Sequence, residues 1–427
     1  MRFLHLSDLH IGKIVNGFSM VEDQINILEQ IVKITAEQAV DAVLLSGDIY
    51  DRAAPSEEAM RIFDRFLTEL AADGRPVLMI SGNHDSAGRL TFGSEIFRTR
   101  QIYMSGSLAD ALTPVRLADA YGEVCFYLLP FTKPVHVRAA IAGADAGEMM
   151  QTVADAAQTG MQEGARTAQT DADAEQAAQT DTQEDAQMAQ TVVQDAGDLH
   201  TYQQAIDYVI RQMDPDPAVR NVILAHQFVT GASRSDSETV SVGGTDNIDT
   251  SLFDAFDYAA LGHIHGPQSV GRKTVRYCGT PLKYSFSEAD QQKSVTIVEM
   301  KEKGNVTVET VPLTPLHDLR RIRGTYEELT LRANYIHTNT DDYLHVTLTD
   351  EEDVPDAMSR LSVIYPHIMQ LSYDNRRTAK NAQIDGGADA VRTKSVPELI
   401  GEFYELQNNQ AMSDTQAAYV RALTEDA

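Results

Sequence analysis

A chain of 427 residues, 43% of them hydrophobic, has room for two or three domains with a sizeable core. Its 63 acidic residues against 35 basic ones, a formal charge of -28, argue against indiscriminate adhesion to nucleic acid through a basic surface. No window approaches the about eighteen uninterrupted apolar residues of a membrane span, no secretory signal pattern opens the chain, and two cysteines (Cys125, Cys278) are too few for a disulfide framework, so the expectation is a cytoplasmic protein with buried thiols.

The opening RFLHLSDLH reads as a buried strand with a polar tip. A helix is expected from about Val21 to Ala39, where Ile27, Leu28, Ile31 and Ile34 recur at spacings of three and four. DAVLLSGD is a second buried strand, residues 59 to 72 a second helix, and PVLMISGNHD a third strand. Short apolar strands alternating with amphipathic helices imply an α/β sheet covered on both faces. In such sheets ligands bind at the carboxyl ends of the strands, so the loops SDLH, SGDIYDR and SGNHDS are expected at one rim.

Residues 141 to 198 break this pattern. The stretch AQTDADAEQAAQTDTQEDAQMAQT has few large apolar side chains, and residues 141 to 200 hold twelve acidic residues against the single Arg166. Such a composition cannot bury enough surface to offset its ordering entropy, and a solvated low-complexity insertion is expected. A helix resumes near Tyr202, NVILAHQF is a strand ending at His226, and FDYAALGHIH is another. TVRYCGT and SVTIVEM read as antiparallel strands after it. NVTVETVPL, YLHVTLTD and HIMQLSYD, with a helix over Val354 to Ile364, suggest a small α+β domain. The tail holds two amphipathic helices, each opened by a capping pair, Ser395 with Glu398 and Ser413 with Gln416. Their apolar stripes include Leu399, Ile400 and Phe403 in the first and Val420 and Leu423 in the second.

Seven nitrogen and oxygen donors lie at or just past the ends of predicted buried strands: Asp8, His10, Asp48, Asn83, His226, His263 and His265. The set mixes carboxylate, amide and imidazole without thiolate, enough to hold two divalent ions with positions left for water and substrate. Asp48, on the central strand of the first three, is the natural bridging carboxylate. Manganese is the expected ion, since several imidazoles suit it better than magnesium, while the ligand types leave zinc and iron open as alternatives.

The motifs LSDLHIGK, LLSGDIYDR, ISGNHDS, LAHQFVTGASRSDSE, FDYAALGHIHGPQ and RYCGTPLKYSFSE resemble the calcineurin-like metallophosphoesterases, and within them the double-strand-break repair nucleases. The resemblance covers most of the chain except the insertion. It implies an α/β, two-sheet metallophosphoesterase sandwich flanked by helices, with a small α+β capping domain and C-terminal helices. The boundaries expected are 1–290 for the nuclease domain with its insertion at 141–198, 291–384 for the capping and DNA-binding domain, and 390–427 for partner-binding helices. It also implies that Asp8, His10 and His265 hold one metal, that Asn83, His226 and His263 hold the other, and that Asp48 bridges. His84 is implied as the catalytic residue that stabilises charge or protonates the leaving oxygen.

Asp85 is read as orienting its neighbours. Asp51 stands where some relatives carry a histidine and is left out of the catalytic set. Lys13, Arg89 and Lys283 read first as solvated surface charges, Arg52 as a phosphate contact at most. His5, His136, His200, His317, His337, His345 and His367 are assigned no chemistry. The chain has no G-x-x-x-x-G-K-[ST] motif, so an ATP-driven step requires another polypeptide. The resemblance supplies one, a long coiled-coil ATPase gripped by the tail helices, in a heterotetramer centred on a homodimer of this chain acting on DNA as a 3'-5' exonuclease and hairpin endonuclease. Alternatives are a small-ester phosphatase or cyclic-nucleotide phosphodiesterase with the same ligands, and a noncatalytic scaffold.

Overall fold

The computed structural model describes residues 1–142, 199–238, 246–376, 378, 396–408 and 412–425. Almost all of the expected insertion and Ser395 of the first tail capping pair lie outside them. Two compact units are present: residues 1–13 with 19–316, and residues 14–18 with 317–427.

Among the described residues, twelve strands form the two large sheets of the first unit. In chain order these are β1 (Arg2–Leu6), β2 (Ala42–Ser46), β3 (Val77–Ile80), β4 (Ile102–Ser105), β5 (Val115–Asp119) and β6 (Gly122–Leu129). They continue as β7 (Arg220–His226), β8 (Tyr258–Gly262), β9 (Gln268–Val270), β10 (Arg272–Tyr277), β11 (Ser294–Met300) and β12 (Val306–Pro312). One six-stranded sheet has the order β12-β11-β1-β2-β3-β4 and the other β9-β10-β8-β7-β6-β5. The β1 to β4 pairings are parallel, as are those joining β6, β7, β8 and β10.

The two sheets face one another. Phe3, Leu44, Leu78 and Ile80 from the first share one apolar cluster with Phe126, Val222, Leu224 and Tyr258 from the second, and the ring of Phe3 meets those of Phe126 and Tyr258 edge-on at 5.9 and 5.7 Å. Residues of the other parity in the first sheet, Leu4, Val43, Leu45, Val77 and Met79, are equally buried, so that sheet is covered on both sides.

Helices α1 (Val21–Glu37) and α2 (Glu57–Leu70) bury the stripes Ile27, Leu28, Ile31 and Phe63, Phe66, Leu67, Leu70. The Ser56 hydroxyl caps α2 by accepting from Ala59 N. The outer face of the second sheet is covered by α3 (Tyr202–Met213), opened by a Thr201/Gln204 capping box, through Ile206, Val209, Ile210 and Met213.

Two expectations need correction here. TVRYCGT runs parallel to β8, not antiparallel. The boundary at 290/291 also fails, because β11 pairs antiparallel with β1 and β12 with β11, so both belong to the first sheet and the unit extends to Leu316.

The second unit has a three-stranded parallel sheet, β13 (Leu319–Gly324), β14 (Tyr343–Leu348) and β15 (Ile368–Tyr373), in that order. Leu344, Val346, Leu348, Ala357, Leu361, Tyr365 and Ile368 form its core. β13 takes the place expected for NVTVETVPL, and the helix expected over Val354 to Ile364 is only Ala357–Leu361. The tail helices are α4 (Val396–Asn408) and α5 (Asp414–Glu425), tied by a hydrogen bond from Gln416 Nε2 to Tyr404 Oη at 2.9 Å. Ser413 and Gln416 cap α5 reciprocally. Among the described residues no helix is long and apolar enough to cross a membrane.

Candidate metal centre

All seven predicted donors meet at the carboxyl ends of strands from both sheets. Asp8 and His10 follow β1, Asp48 follows β2, Asn83 follows β3, His226 ends β7, and His263 and His265 follow β8. Each chain leaves its strand through a sharp turn: Asp8, His10, Asp48 and His263 have φ of 53°, 45°, 51° and 96°. Non-glycine residues adopt such values only where the surroundings impose them. Backbone bonds impose them here, from Asp8 N to Gly47 O and from His10 N to Asp48 O, both 3.0 Å.

Convergence on this scale leaves no room for side chains at two neighbouring positions. A Cβ at Gly82 would lie 2.1 Å from Asp48 Oδ1, and one at Gly262 would lie 2.0 Å from the Ser46 carbonyl oxygen. The Asp85 carboxylate accepts from Ile49 N, Tyr50 N and Gly82 N at 3.1, 3.0 and 2.9 Å, stitching the loop after β2 to the loop after β3. Asp8 accepts from His263 N, and Asp48 Oδ1 from His84 N at 2.8 Å.

Six of the seven donors are buried, while Asn83 and His84 are only half-buried, so the cluster opens on their side. Burial would raise the Asp48 carboxyl, but the imidazoles of His226, His10 and His84 hold it well below the usual carboxylate range. Burial would lower His226, yet Asp48 lifts it to about 9. His263, buried and beside His226, falls to about 3. Burial raises Asp85 to about 6, with Asp48 adding to the effect.

The hydrogen-bond chemistry tests whether these residues suit a cation. His226 Nδ1 lies 2.7 Å from the Ser46 carbonyl, which can only accept, so the ring proton sits on Nδ1. Nε2, which holds the second proton of the imidazolium that Asp48 stabilises, faces Asn83 Oδ1 at 3.0 Å and Asp48 Oδ2 at 3.4 Å, and becomes a lone pair aimed at the same space once that proton leaves. Asn83 Oδ1 is also 2.9 Å from His263 Nδ1. The Asn83 and Asp48 oxygens gathered in this buried space call for positive charge, which a proton on His226 or a metal ion in its place supplies. On the other side His10 Nε2 and His265 Nε2 stand 3.2 Å apart. Three groups have donor atoms within 4.8 Å of one another: Asp8 with His10 and His265, Asp8 with Asp48 and His226, and His10 with Asp48 and His84. The donor set fits divalent ions.

His84 belongs to the last group and donates from Nδ1 to the Asp51 carbonyl at 2.9 Å. Two of the basic residues read as solvated charges are engaged instead: Lys13 Nζ pairs with Asp51 at 2.7 Å and Lys283 Nζ donates to the Ala289 carbonyl at 2.6 Å. Arg89 is exposed and reaches the Ala53 carbonyl at 3.2 Å. Asp51, left out of the catalytic set, lies 3.6 Å from His10 Nδ1 and so borders the site.

Sequence reasoning assigned no role to a layer of residues behind His10 and His265. Gln24 Nε2 donates to the His10 carbonyl at 2.7 Å and Tyr284 Oη to the Leu9 carbonyl at 2.6 Å. Ser237, Glu238, Glu288 and Lys293 surround His265. The available signal was the clustering of Ser and Glu in SRSDSE and YSFSE.

Residues 1–133 match the calcineurin-like phosphoesterase family, whose members work with divalent metals. Residues 315–408 match the type 5 capsule protein repressor C-terminal domain. Along nearly its whole length the chain is similar to SbcD, a subunit of the SbcCD nuclease of Staphylococcus epidermidis, 29% identical over 430 residues that span 99% of this chain and 98% of that protein. Similar solved structures include TT1561 of Thermus thermophilus (11% identity, 72% of this chain and 98% of that one, TM-score 0.35). A dimetal phosphatase from Danio rerio is another (13%, 74% and 98%, TM-score 0.39).

Proposed function

We propose that this chain is a cytoplasmic, metal-dependent DNA nuclease that cleaves phosphodiesters as a 3'-5' double-strand exonuclease and a hairpin or single-strand endonuclease, working with an SbcC-type ATPase in DNA repair and recombination. The observation that carries this reading is the buried convergence of Asp48 with His226 and Asn83, beside Asp8, His10 and His265, on a chain similar over nearly its whole length to a nuclease subunit.

In this reading Asp8, His10 and His265 hold one ion, Asn83, His226 and His263 hold the second, and Asp48 is shared. Manganese suits the mixed imidazole, amide and carboxylate set. Divalent ions held by these residues would supply Lewis-acid polarisation of a phosphoryl oxygen. His84, its Nδ1 proton committed to the Asp51 carbonyl, acts through Nε2 on the leaving oxygen.

Exposed apolar side chains support the partner assignments. Phe403, Tyr419 and Leu423 on the tail helices are 63%, 67% and 58% exposed and suit the ATPase. Met60, Phe92 and Ile96, also exposed, suit a second copy of the chain. The acidic chain is expected to hold DNA weakly by itself, with the metals, local basic residues and the partner supplying most of the grip.

The test supplies purified protein with Mn2+ and linear duplex, a DNA hairpin, or a small phosphomonoester. Degradation of both DNAs, abolished by His84→Ala while metal content is kept, is expected. Preference for the small ester would make it a phosphatase, and loss of metal in the His84 variant would make that residue a ligand.

A further inference from the structure

Behind His265 lies a chain of polar groups that none of the roles above uses. Ser237 Oγ is 2.5 Å from His265 Nδ1, and the same hydroxyl donates to Glu288 Oε1 in a short hydrogen bond. Glu288 is fully buried and its other oxygen is 2.6 Å from Lys293 Nζ. Lys293 also donates to the His265 carbonyl at 2.9 Å, and Glu238 Oε1 accepts from His265 N at 2.7 Å.

A serine hydroxyl has one proton, and an ionised carboxylate can only accept. With its proton committed to Glu288, Ser237 must accept from His265 Nδ1–H. That fixes the tautomer and leaves His265 Nε2 bare toward His10 and Asp8. His226 is held in the same tautomer by the neutral carbonyl of Ser46. The His265 ring is instead backed by a negative charge relayed through a hydroxyl, which makes an imidazole a stronger electron-pair donor.

We infer that Ser237 and Glu288 are positioning residues for His265: the hydroxyl transmits the Glu288 charge to the imidazole and so sets the affinity for a divalent cation of the Asp8–His10–His265 group, but not of the Asn83–His226–His263 group. This rests on the two-ion reading of the site. Lys293 keeps Glu288 ionised in its buried place and closes the clamp on the His265 backbone.

The experiment titrates Mn2+ into the metal-stripped wild-type, Ser237→Ala, Ser237→Thr and Glu288→Gln chains by calorimetry, with thermal unfolding of each stripped protein alongside. The wild-type chain is expected to bind two ions. In Ser237→Ala the dissociation constant of one ion rises about 10- to 100-fold, that of the other stays within about twofold, and stripped-protein unfolding barely moves. Ser237→Thr keeps a hydroxyl and restores the affinity. Histidine 15N shifts of the stripped protein add a readout of the tautomer, expected to move from Nδ1–H toward Nε2–H at His265 only in the alanine variant. Should Glu288→Gln fail to fold, with Lys293 stranded, the two serine variants decide the matter. Unchanged affinities in Ser237→Ala, equal weakening of both ions, or failure of threonine to restore binding would overturn the inference. A wild-type chain that binds no ion would instead overturn the proposed function.

Discussion

Gly82→Ala places one methyl group against the shared carboxylate. Its Cβ would sit 2.1 Å from Asp48 Oδ1, 2.4 Å from Asp48 N and 2.7 Å from Asp48 Cγ, and two of these atoms belong to a carboxylate that is itself buried and bonded to His84 N. An ordinary contact begins near 3.4 Å, so the loops after β2 and β3 must part by roughly 1 Å. Overpacking of this kind costs about 1–3 kcal/mol in stability. The larger effect falls on chemistry, because a displacement of about 1 Å in a catalytic constellation lowers the rate about 100-fold. Phosphodiester hydrolysis with saturating Mn2+ measures the rate, and urea unfolding the stability. Gly88→Ala is the control, since its Cβ would meet nothing within 4 Å. A Gly82→Ala enzyme within threefold of wild type, with an unchanged unfolding midpoint, would show that the approach of these loops does not set the position of Asp48.

Asp85→Asn keeps the shape of the residue but can offer only one oxygen face to the three amides it now gathers; one charge-assisted bond is lost and the urea-derived stability should fall by about 1.5–3 kcal/mol. No change in midpoint would mean those bonds do not hold the loops. His5 is depressed to about 3 by burial, with Arg276 adding to it. An unfolded His5 therefore takes up a proton near pH 6.5 that the folded site refuses. Its contribution is intact above pH 6.5 and is lost as pH falls toward 3, by about 1.36 kcal/mol per unit at most. His5→Gln should flatten the stability–pH curve of the metal-stripped protein in that window, and an unaltered slope would refute the assignment. Phe403→Asp should leave circular dichroism unchanged and weaken capture of the ATPase partner by about 2 kcal/mol or more, some 30-fold; undiminished co-purification would move the docking surface elsewhere. Phe92→Glu should give monomers by light scattering if that exposed ring is at the dimer seam, and persistent dimers would reject it.

The donors were legible because each follows an apolar run directly: Asp8 and His10 after β1, Asp48 after β2, His263 and His265 after β8. A polar tip on a buried strand is a local pattern. Partnership across the chain is not. β11 and β12 read as strands, but nothing in their residues states that β11 pairs with β1, some 290 positions earlier, and brings β12 with it, and so the domain boundary was set too early. β13 was missed because Arg320, Arg321 and Arg323 crowd a strand in which only Leu319 is fully buried. The groups behind His265 were hidden for the same reason as the boundary. Ser237 and Glu288 are 51 residues apart, one in a turn and the other in a single 3-10 turn, so their joint action on one imidazole exists only in three dimensions.

The pairing of β1 with β11 bears on how the sheet is completed. The strand that comes first in the sequence lies in the middle of its sheet, with β2 on one side and β11 on the other, and Arg2 takes as its partner Glu299, almost 300 positions later. A fragment ending before His263 holds five of the seven donors and lacks the strand that flanks β1, so the donor set and the sheet that positions it are both completed only by the later part of the sequence.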